Sequence, residues 1–163
     1  MENYDDKIEF ARHILEHNSS LINLADTKAG ILIGINGIIL VLLFSIDQQV
    51  LSLITKFYLV STGTLLTLSS VYAVLTILPR LTSEERLTRI YFKYVEKLTR
   101  EDYLKTWENL KGSQILEDYL NNIYNLAKLQ AKKYNHLYTS VILIIIGIIM
   151  LASSLILFYF TSF

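Results

Sequence analysis

The chain has no cysteine, one proline and six glycines among its 163 residues. Without cysteine it makes no disulfide, thiolate nucleophile, zinc knuckle or iron–sulfur site. So little proline and glycine leaves few turns for a β architecture, which makes helices the default. Net charge is absent too, with 15 basic residues against 15 acidic ones. That balance argues against a basic nucleic-acid arm and against an acidic tail. Serine-hydrolase, P-loop and dinucleotide-binding motifs are missing as well.

What the chain does contain is segregated. Apolar residues make up 52%, and charged residues only 18%, against about 25% in a soluble domain. Three runs carry no charge at all: Ala29–Ile46, Phe57–Pro79 and Leu137–Phe163. A helix crosses a bilayer in about 20 apolar residues. Phe57–Leu78 and Leu137–Phe160 meet that length outright, and Ile31–Phe44 meets it with its uncharged flanks. The pattern predicts transmembrane helices at 29–46, 57–79 and 137–160. A cleaved signal peptide is a poor fit, because about 28 polar, acidic-leaning residues precede the first apolar run.

Lysine and arginine counts predict the orientation. Residues 1–28 hold Lys7, Arg12 and Lys28, the connector 47–56 holds only Lys56, and residues 80–136 hold eleven. With the N-terminus inside, fourteen of the fifteen lie in the cytoplasm. Residues 1–28 are then a cytoplasmic N-terminal amphipathic helix, and 80–136 a cytoplasmic helical segment. The first has six acids against three bases, the second eleven bases against eight acids. The neutral total therefore conceals an acidic helix and a basic segment on one side of the membrane.

Within residues 3–27, Ile8, Ala11, Leu15, Asn18, Ile22 and Ala25 recur at helical spacing, with Ile14 and Leu21 beside them. This seam suits either a second copy or the chain's own helices. After Pro79, Thr82-Ser83-Glu84-Glu85 reads as a capping box opening a helix. That helix carries Leu87, Ile90, Tyr91, Tyr94 and Leu98 on one face. Its other face carries Arg86, Arg89, Lys93, Lys97 and Arg100. Thr99 with Asp102 reads as a second cap, starting a short helix to Lys111 that Gly112 stops. A last helix from Ser113 enters the third span near Tyr138 without a breaker. The expected fold is all-α: an integral membrane helical bundle with three transmembrane helices and a cytoplasmic helical stalk, assembled as a homo-oligomer.

Candidate chemistry is sparse. His13-Ile14-Leu15-Glu16-His17 matches the inverted zinc-protease pattern. Its third ligand is not evident, so a solvated pair of histidines is the better reading, and no metal or other cofactor is expected. Gly30 and Gly34 form a GxxxG pair that Gly37 extends, the kind of face that lets membrane helices approach closely. Asn36 is costly toward lipid, so it should point into the bundle or into an aqueous path. The second span is rich in hydroxyls; Ser61, Thr64 and Thr67 either face water or bond back to their own helix. The first two spans are the better candidates to line a pore. The third, almost wholly aliphatic at Val141–Ile146, reads as lipid-facing. Three readings stay open for the basic stripe Arg86, Arg89, Lys93, Lys97 and Arg100. It is a solvated face, a surface for anionic headgroups, or a nucleotide or oligonucleotide site on which Tyr91, Tyr94 and Tyr103 stack.

Several motifs lie in order around these spans. Ala25-Asp26-Thr27-Lys28-Ala29 opens the first and Pro79-Arg80-Leu81 closes the second. Asp118, Ile123-Tyr124-Asn125-Leu126-Ala127 and Lys132-Lys133-Tyr134 lead into the third. Together they resemble the membrane domain of Pycsar effectors, bacterial antiphage proteins. The resemblance implies a non-enzymatic effector in the bacterial inner membrane that impairs that membrane on infection. Cyclic-nucleotide-gated members carry a separate β-rich binding domain, for which this chain has no counterpart. In that respect it is similar to the stand-alone membrane effector of the Hailong system. That likeness implies a nucleotidyltransferase partner whose nucleotide messenger or short DNA oligomer controls a channel. The expected function is thus an oligomeric channel or pore gated through the cytoplasmic helices. The alternative is a membrane anchor or scaffold recruiting a soluble partner.

Overall fold

The computed structural model describes residues 4–46, 51–78, 88–89, 92–108 and 110–161, with backbone only at Phe92, Lys93 and Thr161. All regular structure among them is helical: α1 (Tyr4–Phe44), α2 (Leu53–Ile77), α3 (Phe92–Val95), α4 (Arg100–Glu108) and α5 (Gly112–Thr161). Three helices, α1, α2 and α5, are long and apolar enough to cross a membrane.

Local chemistry explains the helix boundaries. Ser52 caps α2 by accepting a hydrogen bond from the Thr55 backbone N–H at 3.2 Å. Thr99 caps α4 in the same way: its hydroxyl accepts from the Asp102 N–H and donates to the Asp102 carboxylate at 2.8 Å. Gln114 reaches back to accept from the Lys111 N–H at 3.0 Å, a side-chain cap that starts α5. α1 and α5 each run from a charged segment into an apolar one without a break, since neither holds proline.

Two details differ from the expectation. Gly112 opens α5 instead of ending α4, which stops at Glu108. Of the helix expected from the Thr82–Glu85 cap through Leu98, the described residues show the single turn α3, and Thr88 and Arg89 are not helical. Two side-chain bonds hold these residues on α5. Thr88 donates to Asn122 at 2.9 Å and Arg89 to Asp118 at 3.0 Å. The capping box Thr82–Glu85, Arg86 and the Pro79-Arg80-Leu81 motif lie outside the described residues.

The chain divides into two compact units. One comprises Met1–Asn23 and Pro79–Ala131, the other Leu24–Leu78 and Lys132–Phe163. In the first, the start of α1 lies against the start of α5, with Tyr4 over Gly112. The α1 seam is covered within this single chain: Ala11 is buried, and Ile8, Ile14, Leu15, Asn18, Leu21 and Ile22 are partly so. The second unit is a three-helix bundle of the apolar parts of α1, α2 and α5. Its core has two clusters, Leu43, Leu51, Leu59, Leu66 and Ile144, and Ala25, Ala29, Ala73 and Leu137. Alanines and a glycine set the close approaches; Gly147 faces Leu66 so tightly that a Cβ there would lie 3.3 Å from its Cδ2. The third span is therefore not simply lipid-facing. It buries Leu137, Ser140 and Ile144 at helical spacing and exposes Ile142, Ile145 and Ile149.

Large apolar side chains cover the outside of this bundle, among them Ile31, Ile38, Val41, Phe57, Val60, Val71, Ile149 and Phe160. Water would penalise that surface; hydrocarbon would not. On α5 the exposed Tyr138 and Tyr159 lie about 31 Å apart along the axis at 1.5 Å per residue. A bilayer core is about 30 Å thick and tyrosines collect at its two interfaces.

Candidate functional site: a polar tie within the bundle

Asn36, the amide expected to avoid lipid, is fully buried. Its Nδ2 donates to Ser69 Oγ at 3.0 Å and to Ser70 Oγ at 3.1 Å on α2. Ser69 donates onward to the Ser140 carbonyl at 2.9 Å, and Ser140 donates back to the Ser69 carbonyl at 2.9 Å. Ser70 donates to its own helix at the Leu66 carbonyl. Every hydroxyl proton is thus committed to a carbonyl, so the serine oxygens facing Asn36 accept. This fixes the amide orientation. It also leaves Asn36 Oδ1 buried with no donor. One network ties all three spans and ends on an unpaired acceptor.

At one end of the same bundle Lys133 of α5 forms an ion pair with Asp26 of α1. The lysine side chain is 8% exposed and the aspartate 33%, so the pair is sheltered but not sealed. Tyr72 of α2 and His136 of α5 stack beside each other, ring centres 6.0 Å apart.

The remaining expected residues fall as follows. Gly30, Gly34 and Gly37 lie on an exposed face of α1, and a Cβ at any of them would meet nothing within 4 Å. Thr64 is exposed and donates to the Val60 carbonyl at 2.9 Å, as Thr67 does to Gly63. Thr62 and Thr76 also bond back to their own helix. Most α2 hydroxyls are thereby satisfied locally; Ser69 is the one that crosses to α5. In the basic stripe, Arg89 is held by Asp118, with side chains 29% and 13% exposed. Lys97 and Arg100 are exposed and Tyr94 is half-buried. Arg86 and the Lys93 side chain lie outside the description. Among the described residues Arg89 and Lys97 are not helical, Lys93 lies in α3 and Arg100 in α4, so these four do not share one helical face.

His13 and His17 are exposed on α1, and His13 lies 4.0 Å from Glu9 and 3.9 Å from Glu16. No group of three His, Asp or Glu side chains with metal-binding geometry forms among the described residues.

A family model described as the Pycsar effector protein domain matches residues 10–160. The chain belongs to that family. No curated protein and no solved structure matches it. As a Pycsar effector domain it is a membrane-associated antiphage effector, and its family is one of membrane effectors rather than enzymes. The motif residues acquire physical roles in this light. Asp26 and Lys133 are the ion pair between α1 and α5, and Asp118 anchors Arg89. Sequence reasoning missed these pairings, along with Ser69, Ser70 and Ser140. A serine in an aliphatic span was the available signal for Ser140, since lipid gives a hydroxyl no partner.

Proposed function

We propose that this Pycsar effector assembles into an oligomeric channel or pore that depolarises or permeabilises the bacterial inner membrane. The N-terminus lies in the cytoplasm, and a nucleotide or oligonucleotide signal acts through the cytoplasmic helices. One observation carries this reading: the small-residue face Gly30, Gly34 and Gly37 has no neighbour in the single chain. Such faces support close helix packing in membranes, so a second copy is the natural occupant. The buried serine hydroxyls of the spans are spent on their own bundle, and a conducting path therefore belongs between chains. The exposed cations Lys97 and Arg100 suit an anionic signal directly. Arg89 suits one only by exchanging Asp118 for it.

Planar-bilayer recordings on the purified full-length chain test this. Conductance that changes with added nucleotides or short DNA oligomers is expected. Silence under every nucleotide condition would sink the proposal. A second reading has its own support. The first unit exposes Phe10, Trp107, Leu120 and Tyr124, apolar groups in a charged segment, which suits an anchor that recruits a soluble protein. A monomer by native mass spectrometry, with no conductance, would favour that anchor.

A further inference from the structure

In the three-helix bundle, α1 and α2 leave a groove of about 420 Å³ between them, open on one side. Leu40 and Leu43 of α1 and Leu59, Val60 and Gly63 of α2 form its walls, and Lys56 lines one end. Its volume falls in the range of about 300–1,000 Å³ that small-ligand sites occupy. From Lys56 to Leu68, the other end of the lining on α2, the helix advances about 18 Å at 1.5 Å per residue. One leaflet of the hydrocarbon core is about 15 Å deep. The groove therefore starts at a cation and runs one leaflet inward along apolar walls. Thr64 and Thr67, which also line it, donate to their own backbone and ask nothing of a ligand.

Lys56 stands in the first turn of α2, where the helix dipole is positive. A cation is the wrong sign for that position, and an anion beside it suits both the lysine and the dipole. Phe57 and Tyr58 adjoin it in a T-shaped pair, the aromatic company of a membrane interface. We propose that this groove binds one anionic phospholipid of the leaflet next to the short connector 47–56. An acyl chain lies between α1 and α2, and the headgroup phosphate rests on Lys56. The site is separate from the cytoplasmic signal, although Phe44, which also lines it, continues the glycine face of α1 by one heptad, and it stands or falls independently of channel activity.

The full chain is reconstituted in phosphatidylethanolamine vesicles with a minority of phosphatidylglycerol, then extracted into mild detergent for native mass spectrometry. Retained phosphatidylglycerol enriched about fivefold over its bulk share is expected, the worth of one basic residue at an anionic surface. Lys56→Gln should return the ratio to the bulk value while lipid is still carried. Gly63→Leu fills the groove floor, where only Leu40 comes within 4 Å, and should remove bound lipid of both kinds. Equal enrichment in wild type and Lys56→Gln overturns the proposal, as does a wild-type ratio equal to bulk. The absence of cysteine allows a second readout. A Val60→Cys variant should stay uncrosslinked on oxidation in native membranes. A disulfide-linked dimer there would put a second copy in the groove instead of lipid and overturn the proposal.

Discussion

Asn36 and the Asp26–Lys133 pair are both buried polar features, but their energetics differ. Removing Asn36 orphans no donor, because Ser69 and Ser70 donate to carbonyls and only accept from the amide. Interhelical hydrogen bonds in membranes average about 0.6 kcal/mol. Asn36 makes two of them, so Asn36→Ala, which adds no bulk to this fully buried site, should cost about 1–2 kcal/mol in a detergent-unfolding titration. If the unpaired Oδ1 serves the path of ions or water, conductance should fall far more than stability does. Equal losses in both would make Asn36 a packing residue only. The ion pair behaves otherwise. Asp26→Asn leaves a sheltered lysine without its counter-charge, which should cost about 1–3 kcal/mol. Reversing the pair, Asp26→Lys with Lys133→Asp, should recover most of that loss in the same titration. No recovery would mean that neighbours of each residue, not the pairing, set the cost.

At the scale of the element, the two glycine environments give opposite expectations. Gly147 packs against the fully buried Leu66, so Gly147→Leu should separate α2 from α5 and lose at least about 1–3 kcal/mol by overpacking. Gly34→Leu meets open space, so it should leave the single-chain bundle intact by circular dichroism and weaken only the assembly. If both variants unfold alike, the glycine face of α1 is not free. The basic stripe needs a revised probe. Arg89→Glu would face Asp118 and damage its own unit, so a loss of function would say nothing about ligand. Lys97→Glu with Arg100→Glu reverses two exposed charges. It should keep helix content while reducing nucleotide binding by about tenfold or more; unchanged binding would return the stripe to the solvated faces. These cases also show what the sequence makes legible. Hydropathy and periodicity disclose α1, α2 and α5, because each obeys one long-range pattern. Helical spacing cannot register a side chain such as Asp118, 29 residues away, that holds Arg89 on α5. The third span reads as lipid-facing because Ile and Leu look alike inside and outside a membrane bundle, and only small and polar residues such as Ser140 and Ser154 mark its inner face.

At the scale of the whole molecule, orientation and assembly are the decisive quantities, and the lack of cysteine makes both accessible. The count of fourteen cations against one predicts an N-terminus inside through the positive-inside effect. Ser45 is exposed at the end of α1 and Lys97 is exposed between α3 and α4. A Ser45→Cys variant in intact cells should react with a membrane-impermeant maleimide added outside. A Lys97→Cys variant should react only after permeabilisation. The reverse pattern would place the basic segment outside, away from any nucleotide made in the cytoplasm, and the signalling reading would fail with it. Assembly follows from the same logic. A bundle of three helices, whose buried polar groups pair among themselves except at Asn36 Oδ1, is too small to enclose a pore, so a chain that conducts must do so beside another chain. Thr27→Cys and Val41→Cys flank the glycines on the face of α1. They should therefore crosslink between copies in native membranes, and Gly34→Leu should abolish both the crosslink and the conductance. Conductance that survives without crosslinking would move the pore to a face of the bundle other than α1.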